Sequence, residues 1–193
     1  MEKSTRKISH RTVFATALIY FACSACAPLA LAQSSLPAAS AVASPKTYVS
    51  LQPIPRGSTF EIGVVVGIMP GFHMNAHKVS EDYLIPTNLT AKPPAGIKEV
   101  QTLYPEGTSL KLSFSDQPLS VYTKQFTVRA RFSVEANAAL GKMSVPFTLQ
   151  YQACNDSACL PPVRIPVIAK IDIAQAGAKA HAMSPDIFSG KQN

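Results

Sequence analysis

The chain has 193 residues, 47% of them hydrophobic and 15% charged, with a formal net charge of +7 at neutral pH. No Lys/Arg cluster or basic-aromatic stripe accompanies that positive balance, which argues against nucleic acid as a partner. Gly-x-Ser-x-Gly, His-Glu-x-x-His and Gly-rich phosphate loops are absent, and the adjacent carboxylates Glu81-Asp82 read as solvated loop surface, so hydrolytic catalysis has little support.

The first segment reads as an export signal. Lys3, Arg6, Lys7 and Arg11 precede an apolar run from Val13 to Leu31, a basic n-region followed by an h-region. Ala30-Leu31-Ala32 supplies small residues at the −3 and −1 positions, so cleavage is expected after Ala32. A membrane anchor is the alternative, because the run approaches the ~20 residues that span a bilayer, but anchors rarely end in Ala-Leu-Ala-Gln. A lipoprotein would need a Leu-Ala-Gly type tripeptide before Cys23 or Cys26, and neither has one. Residues 1–32 take with them four of the eighteen basic and one of the eleven acidic side chains, leaving +4, and two of the four cysteines. Only Cys154 and Cys159 remain, and in an exported chain two nearby cysteines are able to pair. With no second apolar segment, the mature chain is expected to be soluble and to form one domain with a real core.

Residues 33–44 are rich in Ala, Ser and Pro without periodicity, which predicts a disordered lead-in, with the folded domain spanning 45–174. Phe60, Ile62, Val64, Val66 and Ile68 alternate as a half-buried strand does. In 126–134, Phe126, Val128, Ala130, Phe132 and Val134 alternate with Thr127, Arg129, Arg131 and Ser133, a pattern no helix buries on one side. Shorter strands are expected over 47–54, 84–90, 97–102, 110–114, 145–153 and 163–173. Turn signals separate them, among them Pro55-Arg56-Gly57, Pro70-Gly71 and Pro105-Glu106-Gly107. This is an all-β pattern, and it predicts an immunoglobulin-like antiparallel β-sandwich, with a closed barrel as the alternative. Residues 175–193 lose periodicity and read as a loose tail, with at most a short helical stretch around 176–182.

Cys154 and Cys159 flank a four-residue loop between two strand patterns, so they are expected at the tip of a hairpin. Facing positions in an antiparallel pair lie about 5.5 Å apart, within disulfide range. Phe147, Leu149, Tyr151 and Ala153 share the inward face, which predicts an outward Cys154 with an exposed thiol. A purely structural bridge is the plain alternative, yet so short a loop yields only about 2 kcal/mol of chain-entropy stabilisation, against about 4.7 for a ~100-residue loop. Asp156 lies between the thiols with no Lys, Arg or His in the loop, and a carboxylate disfavours thiolate. A pair whose reduced form lacks stabilisation favours its disulfide and gives electrons away, so a reductant is expected.

The segment Tyr151-Gln152-x-Cys154-x-Asp156-x-x-Cys159-x-Pro161-Pro162 resembles the active-site hairpin of the N-terminal periplasmic domain of the thiol:disulfide interchange protein DsbD. Upstream, Pro70-Gly71-Phe72-His73-Met74-Asn75, Leu84-Ile85-Pro86-Thr87, Tyr104-Pro105-x-Gly107 and Leu119-Ser120-Val121-Tyr122 are similar to that family as well. The resemblance implies an immunoglobulin-like domain in the periplasm that exchanges disulfides through Cys154 and Cys159, with Gln152 and Asp156 shaping their surroundings. It implies no metal or organic cofactor. Its partners would be disulfide isomerases, thioredoxin-like proteins or cytochrome maturation factors. This chain carries neither the membrane electron-carrying domain nor the thioredoxin domain of full-length relatives, so a separate membrane protein is expected to supply electrons. In the family a cap loop shields the cysteines with an aromatic residue. Here Asp116-Gln-Pro-Leu-Ser120 is short and offers no Phe, leaving Tyr122 as the candidate shield and Leu119 as a substitute.

Two other classes compete. His73, Met74 and His77, with Met69 nearby, are soft ligands that would suit copper if they converged; otherwise His73 and Met74 are strand residues on opposite faces, with His73 near the surface and His77 in a loop. A non-redox interaction module with a structural disulfide needs only the sandwich.

Overall fold

The computed structural model describes residues 36–113 and 115–189. The expected export signal and its cleavage point lie outside the described residues, as do Phe114 and residues 190–193.

After a 3-10 turn at Ala39–Ala41, the strands are β1 (Ala43–Val49), β2 (Leu51–Gln52), β3 (Ile54–Pro55), β4 (Thr59–Ile68), β5 (His73–Asn75), β6 (Asn88–Ala91) and β7 (Ile97–Leu103). They continue as β8 (Thr108–Leu110), β9 (Leu119–Thr123), β10 (Gln125–Val134), β11 (Gly141–Tyr151), β12 (Ala153–Cys154), β13 (Val163–Ala174) and β14 (His181–Ala182), followed by a one-turn helix α1 (Pro185–Phe188). One sheet has the order β1-β4-β10-β7 and another β3-β13-β11-β6. Each keeps open edges, so the fold is the immunoglobulin-like β-sandwich and not a closed barrel.

The alternation that sequence predicts for 126–134 is the burial pattern of β10, whose Phe126, Val128, Ala130, Phe132 and Val134 are all buried. In antiparallel register, Phe132 faces Phe60 and Val128 faces Val64 across β4. Phe132 stacks on Phe60 with ring centroids 5.5 Å apart and meets Phe147 of the opposite sheet edge-on at 6.1 Å. Burying each such side chain contributes roughly 1.5–3 kcal/mol, so these rows hold the two sheets together. β11 and β13 run in unbroken register from Gly141 opposite Ile173 to Tyr151 opposite Val163. This ladder ends at the cysteine hairpin.

Several expected boundaries move. The lead-in expected over 33–44 is structured from Ala39, and Val42 is 1% exposed; the Tyr151 hydroxyl donates to Ala39 O, and Met69 N donates to Val42 O. Long-range contacts of this kind give a non-periodic segment its place. The expected strand over 47–54 is broken into three pieces around Ser50 and Pro53. Of 84–90 only β6 pairs, and of the described residues in 110–114 only Leu110, at the end of β8. The tail is not wholly loose, and the short helix is α1 rather than 176–182. β14 pairs with β2, Arg129 Nη1 donates to Phe188 O, and a Cβ added at Gly63 would meet Ile187 Cγ2 at 2.8 Å. The glycine lets the tail helix sit directly on β4.

Candidate functional site: the cysteine hairpin

A third, smaller sheet carries the site, in the order β12-β5-β9-β8. The chain leaves the main sheet at Gln152, which belongs to neither strand, and re-pairs at once as β12 against β5. Paired residues in an antiparallel sheet project to the same face. Ala153, Met74 and Tyr122 therefore form one row and Cys154, His73 and Thr123 the next, on the opposite face. The first row is part of the main core. The second holds the first cysteine of the pair.

Cys154 and Cys159 are joined by a disulfide with Cα atoms 3.9 Å apart, nearer than the facing-pair spacing expected, and they form an isolated antiparallel bridge. The loop between them closes as a turn organised by Asn155. Its N–H donates to Ala158 O at 2.9 Å, while its Oδ1 accepts from Ser157 N and Ala158 N at 2.9 and 2.8 Å. Leu160 N then donates to Ala153 O, and the Leu160 side chain is buried, anchoring the return arm.

The expected exposure of Cys154 is corrected: it is 2% exposed, whereas Cys159 is the exposed cysteine. Alternation does place Cys154 opposite to Ala153. However, the switch of sheets at Gln152 puts Cys154 on the face of the small sheet that also carries Leu119 and Val121. Those two residues form a second buried cluster with Leu84 and Leu112. Ser113 Oγ donates to Asp156 O at 2.8 Å, tying the residue next to Leu112 to the cysteine loop.

Gln152 and Asn75 hold the hairpin to β5. Asn75 N donates to Gln152 O at 3.3 Å, and Asn75 Nδ2 donates to Gln152 Oε1 at 3.3 Å and to Ile85 O at 3.0 Å. Thr87 Oγ1 donates to Asn75 O at 2.6 Å, and both residues are buried. Asp156 is exposed at the tip.

Tyr122 does not shield the cysteines. It lies on the core face, one strand removed from β12, stacked on Phe126 at 4.2 Å. Its hydroxyl donates to Pro105 O and accepts from His77 N. Leu119 shares a face of β9 with Thr123, but it packs in the second cluster.

The copper set does not converge either. Met74 is in the core and His73 projects to the opposite face, while His77 stacks on Tyr104 at 3.6 Å with Nδ1 3.1 Å from Thr87 O. His73 is not near the surface as expected: it is 4% exposed, and its Nε2 has no hydrogen-bond partner among the described residues. Burial holds its pKa below the ordinary imidazole value, and the negative charge of Asp156 partly opposes that. Sequence reasoning missed the adjacency of His73 and Cys154. The signal available was the short alternation in Phe72-His73-Met74-Asn75, too brief to fix a pairing partner.

The family model described as "Thiol:disulfide interchange protein DsbD, N-terminal" matches residues 39–167. Among solved structures, the reduced DsbD N-terminal domain of Neisseria meningitidis is similar at 18% identity and a TM-score of 0.43, covering 76% of this chain and 94% of that one. The N-terminal periplasmic domain of ScsB from Proteus mirabilis is similar at 9% identity and a TM-score of 0.49, covering 76% of this chain and 51% of that one. A search of curated proteins gives no match. Because the family match runs from the start of the sandwich into β13 and includes both cysteines of the hairpin, the chain belongs to the DsbD N-terminal domain family.

Proposed function

We propose that this chain is a periplasmic thiol:disulfide interchange module that passes reducing equivalents through Cys154 and Cys159 to partner proteins. The observation that carries this reading is the asymmetry of the pair, one sulfur buried against β5 and the other at the surface of the same short hairpin. Exchange needs an exposed sulfur to meet the partner and a second one beside it to release the partner. Cys159 fits the first role and Cys154 the second.

In the reduced module, the Cys159 thiolate attacks one sulfur of a partner disulfide. The partner S–S bond breaks, a mixed disulfide forms, and the departing partner thiolate takes up a proton. Cys154 then attacks Cys159 Sγ, the mixed disulfide breaks, and the second partner sulfur leaves as a thiol after protonation. Two electrons have moved to the partner, and the module holds its own disulfide. The sulfurs carry the electrons without a metal or organic cofactor. A separate membrane protein would restore the dithiol, and disulfide isomerases and thioredoxin-like proteins are the acceptors of matching chemistry. Asp156 beside the pair and the lack of any basic residue in the loop support a reductant.

Trapping tests the division of labour. Cys154→Ser protein, mixed with a disulfide-bonded thioredoxin-like protein, is expected to accumulate a covalent complex, and Cys159→Ser protein is not. Equal trapping by both variants, or by neither, contradicts the assignment.

A further inference from the structure

The exchange scheme leaves a buried polar group in the cysteine hairpin's own small sheet unexplained. His73 Nε2 is enclosed without a hydrogen-bond partner among the described residues, although buried ring nitrogens are ordinarily hydrogen-bonded because desolvation otherwise goes uncompensated. The residue directly across the ladder from His73 is Cys154. In the disulfide, Cys154 has no S–H to offer. Reduction creates one on the same face of the same pair, beside an imidazole that lacks a donor.

We propose that His73 is the proton acceptor for Cys154: in the reduced module its Nε2 accepts a hydrogen bond from the Cys154 thiol, and it takes that proton as Cys154 resolves the mixed disulfide. This rests on the exchange reading. Cys154 Sγ–H gives its proton to Nε2, and the sulfur electron pair forms the bond to Cys159 Sγ. The bond between Cys159 and the partner breaks, and the partner sulfur leaves with the pair. The imidazolium then returns its proton to that thiolate or to solvent, so the histidine is unchanged over the cycle.

Burial supports the role, because it keeps the imidazole neutral and able to accept at neutral pH. The groups around it are Cys154 on β12, Thr123 on β9 and Asp156 in the hairpin turn. Asp156 is the charged group acting on it and favours the transient imidazolium. A buried thiol needs such a base more than an exposed one does, since an apolar setting raises thiol pKa. Cys159, at the surface, can ionise into water.

The test uses glutathione disulfide as the probe, with acid-quenched thiol trapping to time formation and resolution of the mixed disulfide from pH 5 to 9. His73→Gln is expected to form the mixed disulfide at the wild-type rate but resolve it at least about tenfold more slowly near pH 7. Its resolution rate should then follow the ionisation of a thiol alone. An unchanged rate and pH profile for resolution overturns the proposal. A measurement that keeps His73 guards against a variant that does not fold. The imidazole titration midpoint, read by NMR, is expected to differ between reduced Cys159→Ser protein and the Cys154→Ser/Cys159→Ser double variant, and equal midpoints overturn the contact. If wild-type protein forms no mixed disulfide, the exchange reading has failed, and the titration still decides whether His73 and Cys154 are coupled.

Discussion

Reducing the disulfide should weaken the fold only modestly. The bridge closes a loop between positions five apart in sequence, and for so short a loop the chain-entropy contribution is about 2 kcal/mol. Both arms are held independently: β11 and β13 stay in register up to Tyr151 and Val163, and Leu160 and Ala153 are buried on either side of the bridge. Urea unfolding of oxidised and reduced protein should therefore give two cooperative transitions of similar slope, offset by about 2 kcal/mol. Linkage makes the same quantity electrochemical, because a disulfide that stabilises the fold is itself stabilised by folding. An offset of that size places the folded pair about 40 mV below the same pair in unfolded chain, in the direction of a reductant. A hydrogen bond from reduced Cys154 to His73 would narrow the offset. A reduced protein that fails to fold, or an offset above about 5 kcal/mol, would instead make the bridge a structural staple.

Asn75→Ala removes two hydrogen bonds from Nδ2 and leaves the Ile85 carbonyl without that donor, so it should cost roughly 2–4 kcal/mol in urea melts; a change below about 0.5 kcal/mol would show that the hairpin is held by other contacts. Stability should also depend on pH through His73. Its folded pKa is depressed below 6.5 by burial, so the unfolded chain binds the proton first, and the contribution is fully present above the unfolded pKa and lost as pH falls toward the folded one. His73→Gln should flatten that acid limb in melts from pH 7 to 5, and an unchanged slope would assign it to other groups.

The long strands were legible because alternation over nine or ten residues has one burial solution. That holds for β10 from Phe126 to Val134, and for β4 in its Phe60 to Ile68 stretch. The cysteine loop was legible too, since strand patterns flank it on both sides. The shorter pieces were not. The alternation around His73 and Met74 is too short to fix a pairing partner, and the place of His73 to Asn75 depends on β9 and β12, which are remote in sequence. The burial of Cys154 was misjudged for a related reason. Parity along β11 stays correct through the hairpin, but the exit at Gln152 changes which sheet the cysteine joins and what covers its outer face. Tyr122 was the nearest aromatic to the stretch that matches the family's cap loop, and register puts it on the other face of the small sheet from Cys154.

Interchange requires that the Cys154–Cys159 pair be reversibly reducible under periplasmic conditions, and its reduction potential decides this. Purified protein equilibrated in glutathione or dithiothreitol buffers, with the thiols of Cys154 and Cys159 trapped and counted, is predicted to titrate reversibly between about −270 and −180 mV, the range of thioredoxin and disulfide isomerase. A pair that stays oxidised well below about −300 mV, as structural disulfides in secreted proteins do, would contradict the account.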